Sequence, residues 1–421
     1  MSENLFEQRV RIANQAIAHE EPERIPIWIN YGSTPHILNE DPEATFKDTF
    51  YCRERAKRSI IKFHEEFQPD VQLANLYSGK AEEIAGTKYI DWPGCPGTRN
   101  PDTSIYQVHE YEFMEQDEYP ELLNDFTGFM LHKYIPRAFP NLKGLGSVLN
   151  PAPTGYMYVG QVGNLFRAPA LEAYEKLIEI GKLQAEVQRD IADLQKTLAE
   201  KGFPPMLTGV GLVPYDILSN YFRGTVGSFE DLVECPDMME KAVELFTDLQ
   251  IANIQYFRFA KMPVKRMMFW MHKGMDGFMS PQQFETLYWK PFMKVVHALV
   301  DMGVTPIIYT EGKYDSRLEQ MVDLPENKCV IHFENVNLQN AKNTVGKTNC
   351  ITGNFPIYLL EYGTKEQVIE EAKRQIDIGA PGGGFIFETN ASIENVKREN
   401  LMALYDTVRT YEKNEAGIVF T

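Results

Sequence analysis

The rhythm of apolar and polar positions changes at about Ala168. Beyond it, long stretches with apolar residues three and four apart alternate with short, continuous apolar runs. "APALEAYEKLIEIGKLQAEVQRDIADLQKTLAEKG" predicts a helix stopped by Gly202, and "MLTGVGLV" predicts a strand. "SFEDLVECPDMMEKAVELFTDLQIANIQYFRFA" predicts a second helix, with Ser228 as its N-cap. "VKRMMFWM" reads as a strand. "SPQQFETLYWKPFMKVVHALVDMG" reads as a helix capped by Ser280, with Pro281 at its first position. The alternation then runs through "TPIIYT", "YDSRLEQMVDL", "CVIHF", "LQNAKNTVG", "CITGNF", "TKEQVIEEAKRQIDIG", "GGGFIF" and "IENVKRENLMALYDTVRTYEK". The first third looks different. Its "EEPERIPIWINYGSTPH", "IDWPGCPGTRNPDTS" and "QDEYPELLND" are rich in residues that break regular elements, and it reads as irregular.

A strict strand–helix alternation with apolar strands predicts a parallel sheet of the α/β class. An open doubly wound sheet and a closed barrel both satisfy it. No GxGxxG opens a helix, and the glycines of "APGGGFIF" precede their strand. Element count and length favour one (β/α)8 TIM barrel over residues 1–421. Residues 1–150 would hold an N-terminal extension and segments that cover the substrate. In such a barrel, polar residues at the C-terminal strand ends form the active site.

Bulk properties narrow the function. A net charge of −17 over 421 residues gives nucleic-acid binding no electrostatic footing. No run approaches the roughly 20 apolar residues that cross a bilayer. The opening "MSENLFEQRVRIANQAIAHEEPERIP" reads as an amphipathic helix without the apolar core of a signal peptide, which leaves the cytoplasm as the expected compartment. Five cysteines without a CxxC argue against a disulfide scaffold.

Strand ends carry the candidate chemistry. They deliver Trp270 and His272, Tyr309 and Glu311, His332 and Glu334, Asn354, Glu388 and Asn390. Carboxylates and imidazoles meeting in one cavity bind a divalent metal or move protons. Glu311, His332 and one further carboxylate would satisfy a catalytic zinc. The competing reading pairs Glu311 with Lys313 or Arg317 and makes His332 a hydrogen-bonded core histidine. The front third adds Tyr31, His36, Trp92, Tyr106, Gln107, His109, Glu110 and Tyr111. Aromatic faces with polar handles suit a flat aromatic substrate. "KRMMFWMHKGMDGFM" reads as core packing, because methionine fills gaps.

Several stretches resemble the uroporphyrinogen decarboxylase superfamily. They are "RIANQAIAHEEPERIPIW", "GKAEEIAGTKYIDWPGCPGTRNPDTSIYQVHEYEFMEQDEYPELLND", "GFMSPQQFETLYWKPFMKVVHALVDMGVTPIIYTEGKYDSRLEQMVDLP", "ITGNFPIYLLEYGTKEQV" and "GGGFIFETNASIENVKRENLMAL". Each is a loose pattern; their shared order across the chain is specific. The resemblance implies a single (β/α)8 barrel. Decarboxylases of the superfamily carry an arginine-rich segment after the first strand that grips the substrate's carboxylates. The matching "WINYGSTPH" has no arginine, so decarboxylation of a porphyrinogen is disfavoured. The other branch holds corrinoid-dependent methyltransferases. Thiol-methylating members carry a zinc-binding HxC where this chain has Tyr309 and Glu311, and a later cysteine where it has Ala391 or a neighbour. The chain is more similar to the first methyltransferase of bacterial O-demethylases, with carboxylate-rich zinc sites.

That likeness implies zinc held by Glu311, His332 and Glu388, with Glu334 next in line for the third place. It implies a ring pocket of Tyr31, Trp92, Tyr106 and Trp270, with Gln107 nearby. His272 or His36 would assist a phenol or carboxylate of the substrate. The implied reaction moves the methyl group of a methoxylated aromatic to the Co(I) corrinoid of a separate protein, through a wide barrel mouth. A lyase acting on a tetrapyrrole, another methyl donor and a non-catalytic corrinoid-handling role stay open. A homodimer is compatible with the sequence.

Overall fold

The computed structural model describes residues 3–148 and 163–411. Two short strands of the front third, β1 (Ile90–Asp91) and β2 (Gln107–Val108), pair with each other in a separate two-stranded sheet among the described residues. The next six pair side by side in chain order into one parallel sheet. They are β3 (Gly209–Leu212), β4 (Arg266–Met271), β5 (Thr305–Lys313), β6 (Val330–Asn335), β7 (Cys350–Thr352) and β8 (Phe385–Ile386).

Two extended segments of the front third supply the missing staves. Trp28 N–H donates to the Phe387 carbonyl at 2.9 Å, and Phe387 N–H donates to that of Pro26 at 2.9 Å. Asp70 N–H reaches the Ile27 carbonyl at 3.1 Å, Gln72 N–H that of Pro204 at 2.9 Å, and Met206 N–H that of Gln72 at 3.0 Å. These bonds join residues 26–31 to β8 on one side and to residues 70–73 on the other, and those to the chain entering β3. The cylinder is therefore a closed (β/α)8 TIM barrel without a free sheet edge. Its first two staves lie inside the stretch that the sequence reading left irregular.

Alternation along each strand sorts the side chains. Met268, Ile307, Tyr309, Val330, Cys350 and Ile386 fill the lumen. Their neighbours Met267, Phe269, Ile308, Ile331, Phe333 and Ile351 face the outer helices. The helix Leu5–Ile17, capped by Asn4, closes the N-terminal end of the barrel. Its Ala13, Ala16 and Ile17 pack onto Trp28 and Val71 there, the alanines being small enough for close approach. Arg266 is buried at this closed end, its guanidinium 4.9 Å from the Trp28 ring centroid and bonded to Asn14 Oδ1 at 3.0 Å.

Helix ends match the reading in part. Gly202, with a φ of 94°, follows the helix Ala170–Glu200. Ser280 caps its helix in a reciprocal box with Gln283, and Pro281 occupies the first position. Ser228 is not an N-cap. The helix starts earlier, spans Gly224–Glu234, and buries Ser228, whose hydroxyl donates to the Thr225 carbonyl at 2.9 Å. A new helix, Pro236–Asn253, then begins at a proline. Residues 112–114 are anchored by buried Arg223, which bonds Asp231 Oδ2 at 2.6 Å and also Glu112 and the Met114 carbonyl.

Candidate active site

Strand β5 ends in a register shift against β6 between Thr310 and Lys313. Gly312, at a φ of 89°, sits inside it, in the left-handed region that a side chain rarely adopts. The irregularity re-aims Glu311 across the mouth toward β4. There Glu311 Oε2 lies 3.3 Å from His272 Nε2. The other nitrogen of His272, Nδ1, is 2.5 Å from Asn220 Nδ2. Burial pushes the Glu311 carboxyl above the ordinary carboxylate range; His272 opposes the rise, and Glu334 and Asp216 add to it. The pairing expected for a structural Glu311, with Lys313 or Arg317, does not form. Lys313 shares the outward face with Asn335, and Arg317 is buried against the Phe284 ring.

His272 is held from beneath. The fully buried Asp216 accepts the N–H groups of His272 at 2.8 Å and Lys273 at 3.0 Å, and the hydroxyl of Tyr288 at 2.6 Å. Burial raises the pKa of this carboxyl against the pull of His272 and of these hydrogen bonds. Lys273 is spoken for, its Nζ bonded to Glu110 at 2.6 Å.

A second pair lies deeper. His332 Nδ1 stands 3.1 Å from Glu388 Oε2 and 3.1 Å from Thr352 Oγ1. The Thr352 hydroxyl donates to the same Glu388 oxygen at 2.6 Å, so both neighbours of Nδ1 act as acceptors and Nδ1 carries the hydrogen. Nε2 faces the Asn390 carbonyl at 3.3 Å. The ring stacks on Tyr309 with centroids 3.6 Å apart. The Tyr309 hydroxyl is buried beside Asn30 and Glu388, and its pKa is pushed far up by burial and by the Glu388 charge.

This arrangement bears on the zinc that the resemblance implies. Among the described residues no three His, Cys, Asp or Glu side chains gather closely enough to hold a metal ion. Glu311 is turned to His272. Glu388 sits behind His332 on Nδ1, so it cannot share an ion with the opposite nitrogen. As folded, the set Glu311, His332 and Glu388 does not fit one zinc.

The aromatic expectations divide. Trp270 lines the lumen between Leu212 and Tyr309 and is half-buried. Tyr106 stands at the mouth: burial raises its pKa, a hydrogen bond with Tyr77 offsets part of the rise, and the Glu311 charge adds to it. Gln107 lies exposed in β2 opposite Asp91. Tyr31, His36 and Trp92 are corrections. Tyr31 alternates outward, and its hydroxyl joins His64 Nε2 at 2.8 Å to the Leu73 backbone. His36 is buried against Phe46, and burial lowers its pKa to about 4. Trp92 packs on Phe50 in a satellite cluster and donates Nε1–H to the Tyr51 hydroxyl at 3.0 Å. None of the three reaches the lumen. Tyr31→Phe is therefore expected to cost about 1–3 kcal/mol by leaving Leu73 N–H without its acceptor. Denaturant titration would measure that loss, and kcat/KM should stay unchanged.

Reading the strand ends did not find Asn30, Asp216, Asn220 or Thr352. Asn30 could be found only by knowing the first stave; Thr352 lies inside the strand-like run "CITGNF", and Asn220 in the helical turn after β3. Asp216, in "VPYDIL", carried no signal beyond being an acid in an apolar run just after β3.

The family model described as uroporphyrinogen decarboxylase (URO-D) matches residues 169–411, more than half of the chain. A methyltransferase from Methanosarcina mazei has a similar structure, with a TM-score of 0.59 and 14% identity, over 97% of this chain and 98% of that one. A B12-independent methionine synthase from Shewanella sp. W3-18-1 aligns over 47% of this chain and 59% of that one, at 10% identity and a TM-score of 0.34, too distant to carry an argument. No curated protein sequence matches the chain. The chain belongs to the uroporphyrinogen decarboxylase (URO-D) family.

Proposed function

We propose that this protein removes the methyl group of a methoxylated aromatic compound and delivers it to the Co(I) corrinoid of a separate protein. The His272–Glu311 pair at the mouth carries this reading. Aryl methyl ethers are poor electrophiles because aryloxide leaves badly. A carboxyl whose pKa is raised by burial keeps a proton available in the pair, and that proton can pass to the ether oxygen as the bond to the methyl carbon breaks. The bond pair stays with oxygen, the electron pair of Co(I) forms the new bond to carbon, and the products are a phenol and methyl-Co(III). Trp270 and Tyr106 supply ring faces near the pair. The fold shared with the Methanosarcina mazei methyltransferase agrees with the reading.

Carboxylate-rich substrates are poorly served. The segment after the first stave, "WINYGSTPH", offers no arginine or lysine, and the lumen above it holds Glu311, Glu334 and Glu388. A porphyrinogen with several carboxylates would face like charge there.

Two measurements test the reading. Protein mixed with methoxyarenes and a Co(I) corrinoid carrier should give the methyl-Co(III) spectrum; no methyl-cobalt with any methoxyarene overturns it. Elemental analysis decides the proton source. One zinc per chain, lost in both Glu311→Ala and His332→Ala, would reassign these residues as ligands and replace proton donation by a Lewis acid.

A further inference from the structure

We infer that the methyl donor is an uncharged phenolic ether, a methoxyphenol rather than a methoxybenzoate, with its free hydroxyl received by Glu334. This rests on the demethylation reading and adds the substrate's charge and its second polar group.

The first argument is the sign of the lumen. Side chains alternate along the staves, with one break at the β5 irregularity between Thr310 and Lys313, so the inward-facing set can be read from β3 to β8. Its ionisable members near the mouth are His272, Glu311, His332, Glu334 and Glu388. Arg266, the inward-facing arginine, lies at the opposite, closed end, buried under Trp28 and Asn14. Lys273 is tied to Glu110, and Lys313 faces outward beside Asn335. Residues 149–162 contain no Lys, Arg or His. A substrate carboxylate would thus meet the Glu334 and Glu388 carboxylates, with no guanidinium or ammonium group on the inward face near the mouth to offset them.

The second argument is a concavity of about 470 Å3 at the ends of β6 to β8, which shares Glu334 and Asn390 with the mouth. It is lined by acid and amide groups, with Asn354 among them. Its one arginine, Arg374, is held by Glu371 at 2.6 Å. Glu334 is fixed in place by accepting the backbone N–H of Gly312. With Arg374 paired to Glu371, Glu334 leaves the recess one net negative charge, which favours a neutral hydrogen-bond donor over an anion. A phenolic O–H donating to a carboxylate is a charge-assisted bond. Apart from that concavity, one layer down in the lumen beside His332, the buried Glu388 Oε1 has no hydrogen-bond partner. That unmatched acceptor adds to the same bias.

The test is calorimetric binding of 2-methoxyphenol and 4-methoxybenzoate to the full-length protein. The phenol should bind about tenfold or more tightly than the benzoate, the scale of one charge-assisted hydrogen bond. Glu334→Gln should shrink that ratio severalfold, with the thermal midpoint near that of the parent. Equal or tighter binding of the benzoate overturns the inference, as does an unchanged ratio in Glu334→Gln or failure of both compounds to bind. If the phenol binds selectively but never yields methyl-Co(III), the demethylation reading fails and the charge rule stands.

Discussion

Glu311→Gln is expected to lower the rate of methyl transfer about 10²–10⁴-fold, the usual contribution of a positioned general acid. Glutamine keeps the shape of the side chain and can still bond His272, but it has no proton to give. Substrate affinity should therefore change little, so the loss appears in kcat and not in KM. The pH dependence separates this role from simple structural damage. Burial raises the Glu311 pKa, so the protonated pair persists above the pH at which a free carboxyl, near 4.3, has ionised. Activity should then fall as the pH rises through the titration of the Glu311 carboxyl. Glu311→Gln should lose that alkaline limb, leaving a low and flat profile. Stopped-flow spectroscopy of methyl-Co(III) formation across pH measures both features. A variant with full activity, or with the parental alkaline limb intact, would remove Glu311 as the proton source.

The strands from β3 onward were legible because parallel strands buried on both faces have no choice but to be apolar. "TPIIYT" and "CVIHF" could be placed by composition alone, and their terminal polar residues stood out against it. The first two staves were not legible. Residues 26–31 and 70–73 are brief, carry Pro, Asn and Asp, and gain their extended form from bonds to Phe387 and Pro204, far away in sequence. The same non-locality hid the site's pairing. The strand-end acids Glu311 and Glu388 do face the lumen, but which imidazole each one meets depends on a one-residue irregularity beside Gly312 and on the depth of each strand end. Glu311 meets His272 across the mouth, and His332 meets Glu388 one layer down. Among the aromatic residues of the front third, Tyr106 stands at the mouth, but Tyr31 and Trp92 do not, for a related reason. Tyr31 and Trp92 have the composition of a ring pocket, yet one points outward from its stave and the other belongs to a satellite core.

Asp216→Ala should destabilise the fold by about 3–5 kcal/mol, an effect at the upper end for a single site. The substitution leaves three buried donors, the N–H groups of His272 and Lys273 and the Tyr288 hydroxyl, without an acceptor. Each orphaned donor costs about 1–3 kcal/mol, and the costs overlap because relaxation of one relieves the others. Asp216→Asn retains an acceptor oxygen and should recover much of the loss. The pH dependence carries a definite sign. The folded-state pKa of Asp216 lies above its unfolded value of about 3.9, so the native state holds its proton more tightly. That contribution to stability is complete below the unfolded value and is lost as the pH rises through the folded one. Asp216→Asn removes this slope, so its stability relative to the parent should improve as the pH rises across that interval. Urea titrations at several pH values measure both the size and the slope. The functional consequence follows from the same three bonds. They fix the backbone at the end of β4, and with it the direction in which His272 faces Glu311. In Asp216→Ala, assayed at a temperature where the fold is intact, methyl transfer should fall further than the unfolded fraction explains, with partial rescue in Asp216→Asn. An alanine variant that is fully active and as stable as the parent would show that the carboxylate beneath His272 positions nothing.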